Sequence, residues 1–172
     1  LPTDIAGTKV WFDDTAAQLI YVSDSQVSAV VPASVKGKST TQVKVDRGGT
    51  VSAQMQVAVK DAVPGIFTLD ASGSGLAAAV NQDGTVNLAS NPAPRGSIVA
   101  FYATGLPNGV TAVKIGGKPA DVKYAGGVVW GVPGLIQINA VIPDGVAGGL
   151  AQVIAESGSA SSQNGVTVAV AP

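Results

Sequence analysis

The chain has 172 residues, 46% hydrophobic and 12% charged, with a net charge of −1 and neither His nor Cys. Without Cys there are no disulfides or thiolate metal sites, and without His the usual general base and commonest metal ligand are gone. No basic run offers a footprint for nucleic acid, and no apolar run approaches the ~18 residues a membrane-spanning helix needs.

What remains is 22 Gly and 10 Pro punctuating short Val-, Ala- and Ile-rich segments that alternate with Thr, Ser and Gln. That composition predicts an all-β protein of many short strands. Position 1 is Leu, with no charged-then-apolar leader before it, so a processed or excised piece of a secreted parent is expected.

In chain order, residues 9–12 (Lys-Val-Trp-Phe) predict a strand, Asp13-Asp14-Thr15 a turn, and residues 17–22 the returning strand. Residues 26–32 (Gln-Val-Ser-Ala-Val-Val-Pro) predict another, closed by Pro32, which has no N–H to donate. Residues 41–45 alternate, and Asp46-Arg47-Gly48-Gly49 forms a hairpin-type turn. In residues 51–59, Val51, Ala53, Met55, Val57 and Val59 share one face, while Ser52, Gln54 and Gln56 are expected to face water.

Pro64-Gly65-Ile66-Phe67 reads as a linker turn with an apolar anchor. Residues 76–88 read as a hairpin turning on Asn81-Gln82-Asp83-Gly84, and Asn91-Pro92-Ala93-Pro94 as a stiff connector. Residues 97–102 (Ser-Ile-Val-Ala-Phe-Tyr) predict one more strand.

From residue 113 the pattern repeats. Val113-Lys114-Ile115-Gly116-Gly117-Lys118-Pro119-Ala120 aligns with residues 10–17, Tyr124 with Tyr21, and residues 137–143 (Gln-Ile-Asn-Ala-Val-Ile-Pro) with residues 26–32. Val146 falls on Val35, Gln152-Val153 on Gln42-Val43, Gly158 on Gly48, and Val168-Ala169-Val170 on residues 57–59. Five successive matches with gaps only in loops make an internal repeat.

The expected architecture is all-β: two tandem β units related by the internal repeat and joined by a hairpin-bearing linker. The expected boundaries are 1–62 for the first unit, 63–94 for the linker and 95–172 for the second unit. The first unit has no counterpart of residues 97–102 and so lacks its first strand. A donor strand is expected from one of three sources: the linker hairpin, ranked first because it is covalently attached, sequence upstream of Leu1, or another subunit.

The pattern Val-x-Ile-Gly-Gly-x-Pro-Ala … Tyr … Gln-Ile-Asn-Ala-Val-Ile-Pro-x-Gly, closing on an alternating Val strand, resembles the TIG/IPT immunoglobulin-like domain. The whole chain resembles an uncharacterised C-terminal domain family of bacterial secreted proteins. The matching features are the Leu-Pro-Thr opening, Leu19-Ile20-Tyr21-Val22-Ser23 followed by Gln26, Pro64-Gly65-Ile66-Phe67, Asn81-Gln82-Asp83-Gly84 and Tyr102-Ala103-Thr104-Gly105-Leu106. The resemblance implies a pair of Ig-like sandwiches at the end of a larger extracellular protein and brings no catalytic residues. The chain departs from the pattern in the strand missing before Leu1 and in a shortened stretch between Leu106 and Val113.

No catalytic, cofactor-binding or metal-ligating residue is assigned. Asp13-Asp14 reads as a turn rather than a metal site, because the second copy carries Gly116-Gly117 there. Asp70-Ala71-Ser72-Gly73-Ser74-Gly75 lacks the ligand spacing of a calcium loop and reads as a flexible linker. Trp11, Trp130, Tyr21, Tyr102 and Tyr124 are the aromatics available for sugar stacking, with Tyr21 and Tyr124 expected in packing roles because they recur. Trp130, with Val128 and Val129, sits in an apolar insertion that the first copy lacks, and these three are the candidate partner contact, slightly favoured to meet the neighbouring unit.

The functional expectation is a non-enzymatic structural or adhesive module of a secreted or cell-surface bacterial protein, engaging a protein partner or itself. A self-assembling filament subunit completed by strand donation and a carbohydrate-binding accessory domain are the alternatives. No cofactor, nucleic acid or membrane span is expected.

Overall fold

The computed structural model of the chain describes residues 1–107, 109–129 and 131–172. They are all β, with one 3₁₀ turn at Ala33–Val35 and no helix long and apolar enough to cross a membrane. The chain divides into two compact units, Leu1–Asp61 and Ala62–Pro172.

The first unit comprises β1 (Thr8–Phe12), β2 (Thr15–Ala16), β3 (Gln18–Val22), β4 (Val27–Val30), β5 (Thr40–Arg47), β6 (Thr50–Val51) and β7 (Met55–Ala58). One sheet has the order β2-β1-β5-β6, with β7 also on β5, and the other is the two-stranded β3-β4. Their alternating residues meet in a small core: Val10, Ala17 and Leu19 are buried, with Ile5, Phe12, Val22, Val27, Ala29, Val43 and Val45 packed on them.

The second unit repeats this layout and adds to it. Its strands are β8 (Gly65–Ile66), β9 (Gly75–Leu76), β10 (Ala79–Asn81), β11 (Ile98–Thr104), β12 (Ala112–Ile115), β13 (Lys118–Pro119), β14 (Val122–Gly127), β15 (Ile136–Val141), β16 (Gly149–Ser157), β17 (Ala160–Ser161) and β18 (Val166–Val170). One sheet runs β13-β12-β16-β18-β9, with β17 also on β16. The other runs β10-β11-β15-β14, with β8 also on β11.

The internal repeat holds at the level of register. Phe12 faces Val43 across β1 and β5 as Ile115 faces Val153 across β12 and β16. Both units also carry the same β-bulge, between Leu19 and Tyr21 in β3 and between Val122 and Tyr124 in β14. A bulge re-aims the side chain that follows it. Tyr21 and Tyr124 accordingly lie outside, 52% and 44% exposed, and not in the packing roles expected of them.

Residues 63–94 are not a free-standing connector. The hairpin does turn where expected, with Asn81 N–H bonding Thr85 O and Gly84 N–H bonding Asn81 O. Its strands, however, pair in the second unit: β10 with β11, β8 with β11, and β9 in parallel with β18. Ala77, Ala79 and Ala93 are buried in the second core, which gives this Ala-rich stretch its apolar reason to stay there. The buried Asn87 side chain mimics a strand: its Nδ2 donates to Ala169 O at 2.9 Å, and its Oδ1 accepts from Ala169 N–H at 2.7 Å. The hairpin therefore does not complete the first unit.

A second expectation changes in β7. The alternation is present, yet Val51, Ala53, Met55 and Val57 are all exposed together with Ser52, Gln54 and Gln56. In the second unit the matching residues Val166, Val168 and Val170 are buried in one cluster with Phe101, Ala77 and Ala93. The first unit has no equivalent of β10, β11 or that Ala-rich stretch, so its strand has nothing to pack beneath.

Candidate functional site

Three places have geometry beyond bare packing. The first is the turn after β1. Asp13 takes a left-handed φ of 52° where the repeat has Gly116 at 57°, and each donates its N–H to a glutamine carbonyl (Gln42 or Gln152) at 2.8 Å. Glycine reaches this conformation freely; an aspartate there needs compensation.

Asp13 finds it in its own carboxylate, which accepts from Lys38 Nζ at 2.9 Å, Thr41 Oγ1 at 2.9 Å and Gln42 N–H at 2.8 Å. The Lys38 ammonium first, then the Gln42 N–H and Thr41 hydroxyl, lower its pKa from 3.8 to about 2. The carboxylate is thereby committed to clamping a turn to β5. Among the described residues no cluster of three or more acidic, His or Cys side chains could hold a metal ion.

The second place is the free edge of β4. In the second unit the equivalent strand, β15, is flanked by β14 on one side and by β11 on the other, with pairs from Ile98↔Val141 to Ala103↔Ile136. In the first unit β4 pairs only with β3 among the described residues. Every residue of β4 is half-buried, where Ile138 and Ala140 of β15 are fully buried. In the second unit the strand that fills this edge, β11, packs in one cluster with β18; the counterpart of β18 in the first unit, β7, is bare, with Met55 68% exposed. A strand edge with unpaired N–H and C=O groups beside apolar surface is the condition for strand addition.

The third place is the outward face of β14 and β15. Phe101 and Ile138 point into the core, so their neighbours Tyr102 and Gln137, directly opposite one another, point out, as do Tyr124 and Asn139. Gln137 Nε2 donates to Asn139 Oδ1 at 2.8 Å, and the Tyr124 hydroxyl donates to Gly127 O at 3.0 Å.

Of the predicted partner contacts, Val129 is exposed and Val128 half-buried at the end of β14, both lining an open depression with Tyr124, Gly127, Gln137 and Asn139. Trp130 lies outside the described residues. Trp11 is half-buried in β1, beside Asp13, Asp14, Lys44, Asp46 and Val51.

Residues 1–59 match the IPT/TIG domain family model. The match covers 59 of the chain's 172 residues, all in the smaller unit, labelled the TIG unit for that match, and the second unit repeats its strand plan. No curated protein matches the chain.

Among solved structures, the chain is similar to SGBP-B of the Bacteroides ovatus mixed-linkage glucan utilization locus, solved with a mixed-linkage heptasaccharide. Identity is 16% over 95% of this chain and 36% of that one, with a TM-score of 0.37. It is also similar to the gamma-CGTase of Alkalophilic bacillus clarkii, at 14% identity over 97% of this chain and 23% of that one, with a TM-score of 0.38. The chain spans little more than a third of the first structure and under a quarter of the second. Similarity at this level says nothing of activity or ligand.

The sequence leads to the expectation that the first unit lacks its first strand; among the described residues, β4 pairs only with β3. Residues 97–102 form β11 ahead of the second copy of the repeat, and residues 1–7 hold no strand that matches it. Gln137 and Asn139 went unmarked, although Asn is depleted in strand interiors and its place here invites a reason.

Proposed function

We propose that the chain is a non-enzymatic structural or adhesive Ig-like module of a secreted or cell-surface protein, and that its TIG unit engages a protein partner by strand addition. The observation that carries this reading is the unpaired edge of β4 at the position where β15 receives β11. The occupant is an extended segment with apolar residues at alternate positions, running antiparallel to β4 as β11 runs antiparallel to β15. Main-chain hydrogen bonds to β4 would supply affinity, and the apolar side chains would cover Met55 and Val57. The extracellular setting follows from the family resemblance and suits a chain without thiols.

The test uses the whole chain and a peptide of residues 97–104 extended with lysines for solubility. Hydrogen exchange at the β4 amides should slow on adding the peptide, while β15 amides stay as they were. Unchanged exchange in β4 at saturating peptide, or β4 amides already as protected as those of β15 in the dilute chain, would refute strand addition.

A further inference from the structure

We infer that the outward face of β14 and β15 in the second unit is a binding platform for neutral glycans, built around Tyr124. The decisive feature is how that ring is held. A Cβ at Gly126 would lie 2.7 Å from the Tyr124 hydroxyl oxygen and 2.9 Å from Cζ, so the ring lies back along its own strand over Gly126 and occupies the space a side chain would fill.

The hydroxyl is then tied to Gly127 O at 3.0 Å. The ring is thus held over Gly126 by packing and by the hydroxyl bond, while the residue stays 44% exposed. An aromatic ring already locked in its pose loses little conformational entropy on binding, and its negative face attracts the polarised C–H bonds of a pyranose.

The polar groups beside the ring fit hydroxyls. Gln137 and Asn139 share one internal amide bond, which leaves Gln137 Oε1 as an acceptor and Asn139 Nδ2 as a donor without a protein partner among the described residues. An acceptor and a donor side by side suit vicinal hydroxyls, which both give and receive hydrogen bonds.

Tyr102, half-buried on β11 and directly opposite Gln137, bounds the far side. Strand spacing and rise put its Cα about 12 Å from that of Tyr124, room for more than one sugar ring. Among the described residues no charged side chain lines the depression, whose residues are Tyr124, Gly127, Val128, Val129, Gln137 and Asn139, so an acidic or basic ligand finds no counter-charge among them.

The repeat supplies an internal control. Tyr21 occupies the same bulge in the first unit, but Ser23 stands where Gly126 would be and Ser28 where Asn139 would be. The Ig-like layout therefore requires neither the glycine bed nor the amide. Their presence in the second copy alone points to a role outside folding.

The test is affinity electrophoresis of the whole chain through gels containing dissolved neutral polysaccharides (a β-glucan, a xylan and a mannan), with an acidic pectin and a proline-rich peptide as other classes. Retardation by at least one neutral polysaccharide is expected. Tyr124→Ala and Asn139→Ser should each weaken it at least about tenfold with the thermal midpoint kept, whereas Tyr21→Ala should change nothing.

Gly126→Ala is the sharper variant, since it touches no ligand and acts only by lifting the ring. It should also weaken binding. Mobility unaffected by every neutral polysaccharide overturns the inference, as does retardation that survives Tyr124→Ala and Asn139→Ser. Stronger retardation by pectin, or peptide binding lost in Tyr124→Ala without any glycan binding, overturns it as well.

Discussion

Strands β7 and β18 hold the same place in the repeat and carry the same Val alternation, yet one is bare and the other sealed. All four residues of β7 are exposed, whereas Val166, Val168, Ala169 and Val170 of β18 are buried. The strands differ less than their surroundings do. The second unit adds β8, β9, β10 and β11, which give β15 a second neighbour and close the core over β18. The TIG unit is the bare plan, with a core of Val10, Ala17 and Leu19 and one open edge. Alternation fixes which side of a strand is apolar, and the rest of the fold decides whether anything lies against that side.

The largest contrast comes from a charge placed on each strand. Val168→Asp puts an unpaired carboxylate at a fully buried site and should cost roughly 4 kcal/mol or more, unfolding the second unit. Val57→Asp, at a site 39% exposed, should stay within about 0.5 kcal/mol of the parent. Chemical denaturation of both variants measures the pair, and equal losses would erase the distinction between bare and sealed strands.

A smaller effect tests what seals β18. Asn87→Ala leaves both the N–H and the C=O of Ala169 without their side-chain partner and should destabilise the second unit by about 2 kcal/mol or more. Hydrogen exchange should quicken across β18 and leave β5 untouched. A uniform change in both units would mean that residues 63–94 serve the chain as a whole and not the second unit.

The mildest test separates the two equivalent turns by pH. Asp13 has a folded pKa of about 2 against an ordinary 3.8. Because the folded value is the lower one, the contribution is fully present above the unfolded value and disappears as pH falls through about 2. The TIG unit should therefore weaken as pH falls from about 4 to 2. Asp13→Asn should begin from a lower thermal midpoint at neutral pH and change less across that window. The reference is Asp13→Asn itself, because the second unit carries Asp70 and Asp83, whose carboxyls are also held below their ordinary value and lose their contribution as pH falls; thermal melts at stepped pH make the comparison. A wild-type profile as flat as that of Asp13→Asn would remove Asp13 from the account.

The repeat, the strand alternation and the Asp-or-Gly turn were legible in the sequence, because local sterics and a period of two decide them. Ownership of residues 63–94 was not. Short Ala-rich strands do not specify a partner by pattern, and Asn87 gripping Ala169 is a contact across 82 positions. The pose of Tyr124 was hidden for a related reason: recurrence at Tyr21 suggested packing, while Gly126 two residues later decides where the ring lies. A tyrosine followed two positions on by a glycine within a strand, facing amides on the next strand, is the sign that would have marked it.

The grip of Asn87 and β9 on β18 also bears on how the chain matures on the ribosome. The first unit draws its small core from residues 5–45 and can gather it as soon as they emerge. The second unit cannot: β9 and Asn87 must wait for β18, some ninety positions later, before their partner exists. Through that interval Ala77, Ala79 and Ala93 travel uncovered, and the nascent segment is open to holdase chaperones and to proteases. Strand β18 is the latch. Ribosome-bound intermediates stalled before residue 166 should carry a collapsed first unit and an unfolded second one.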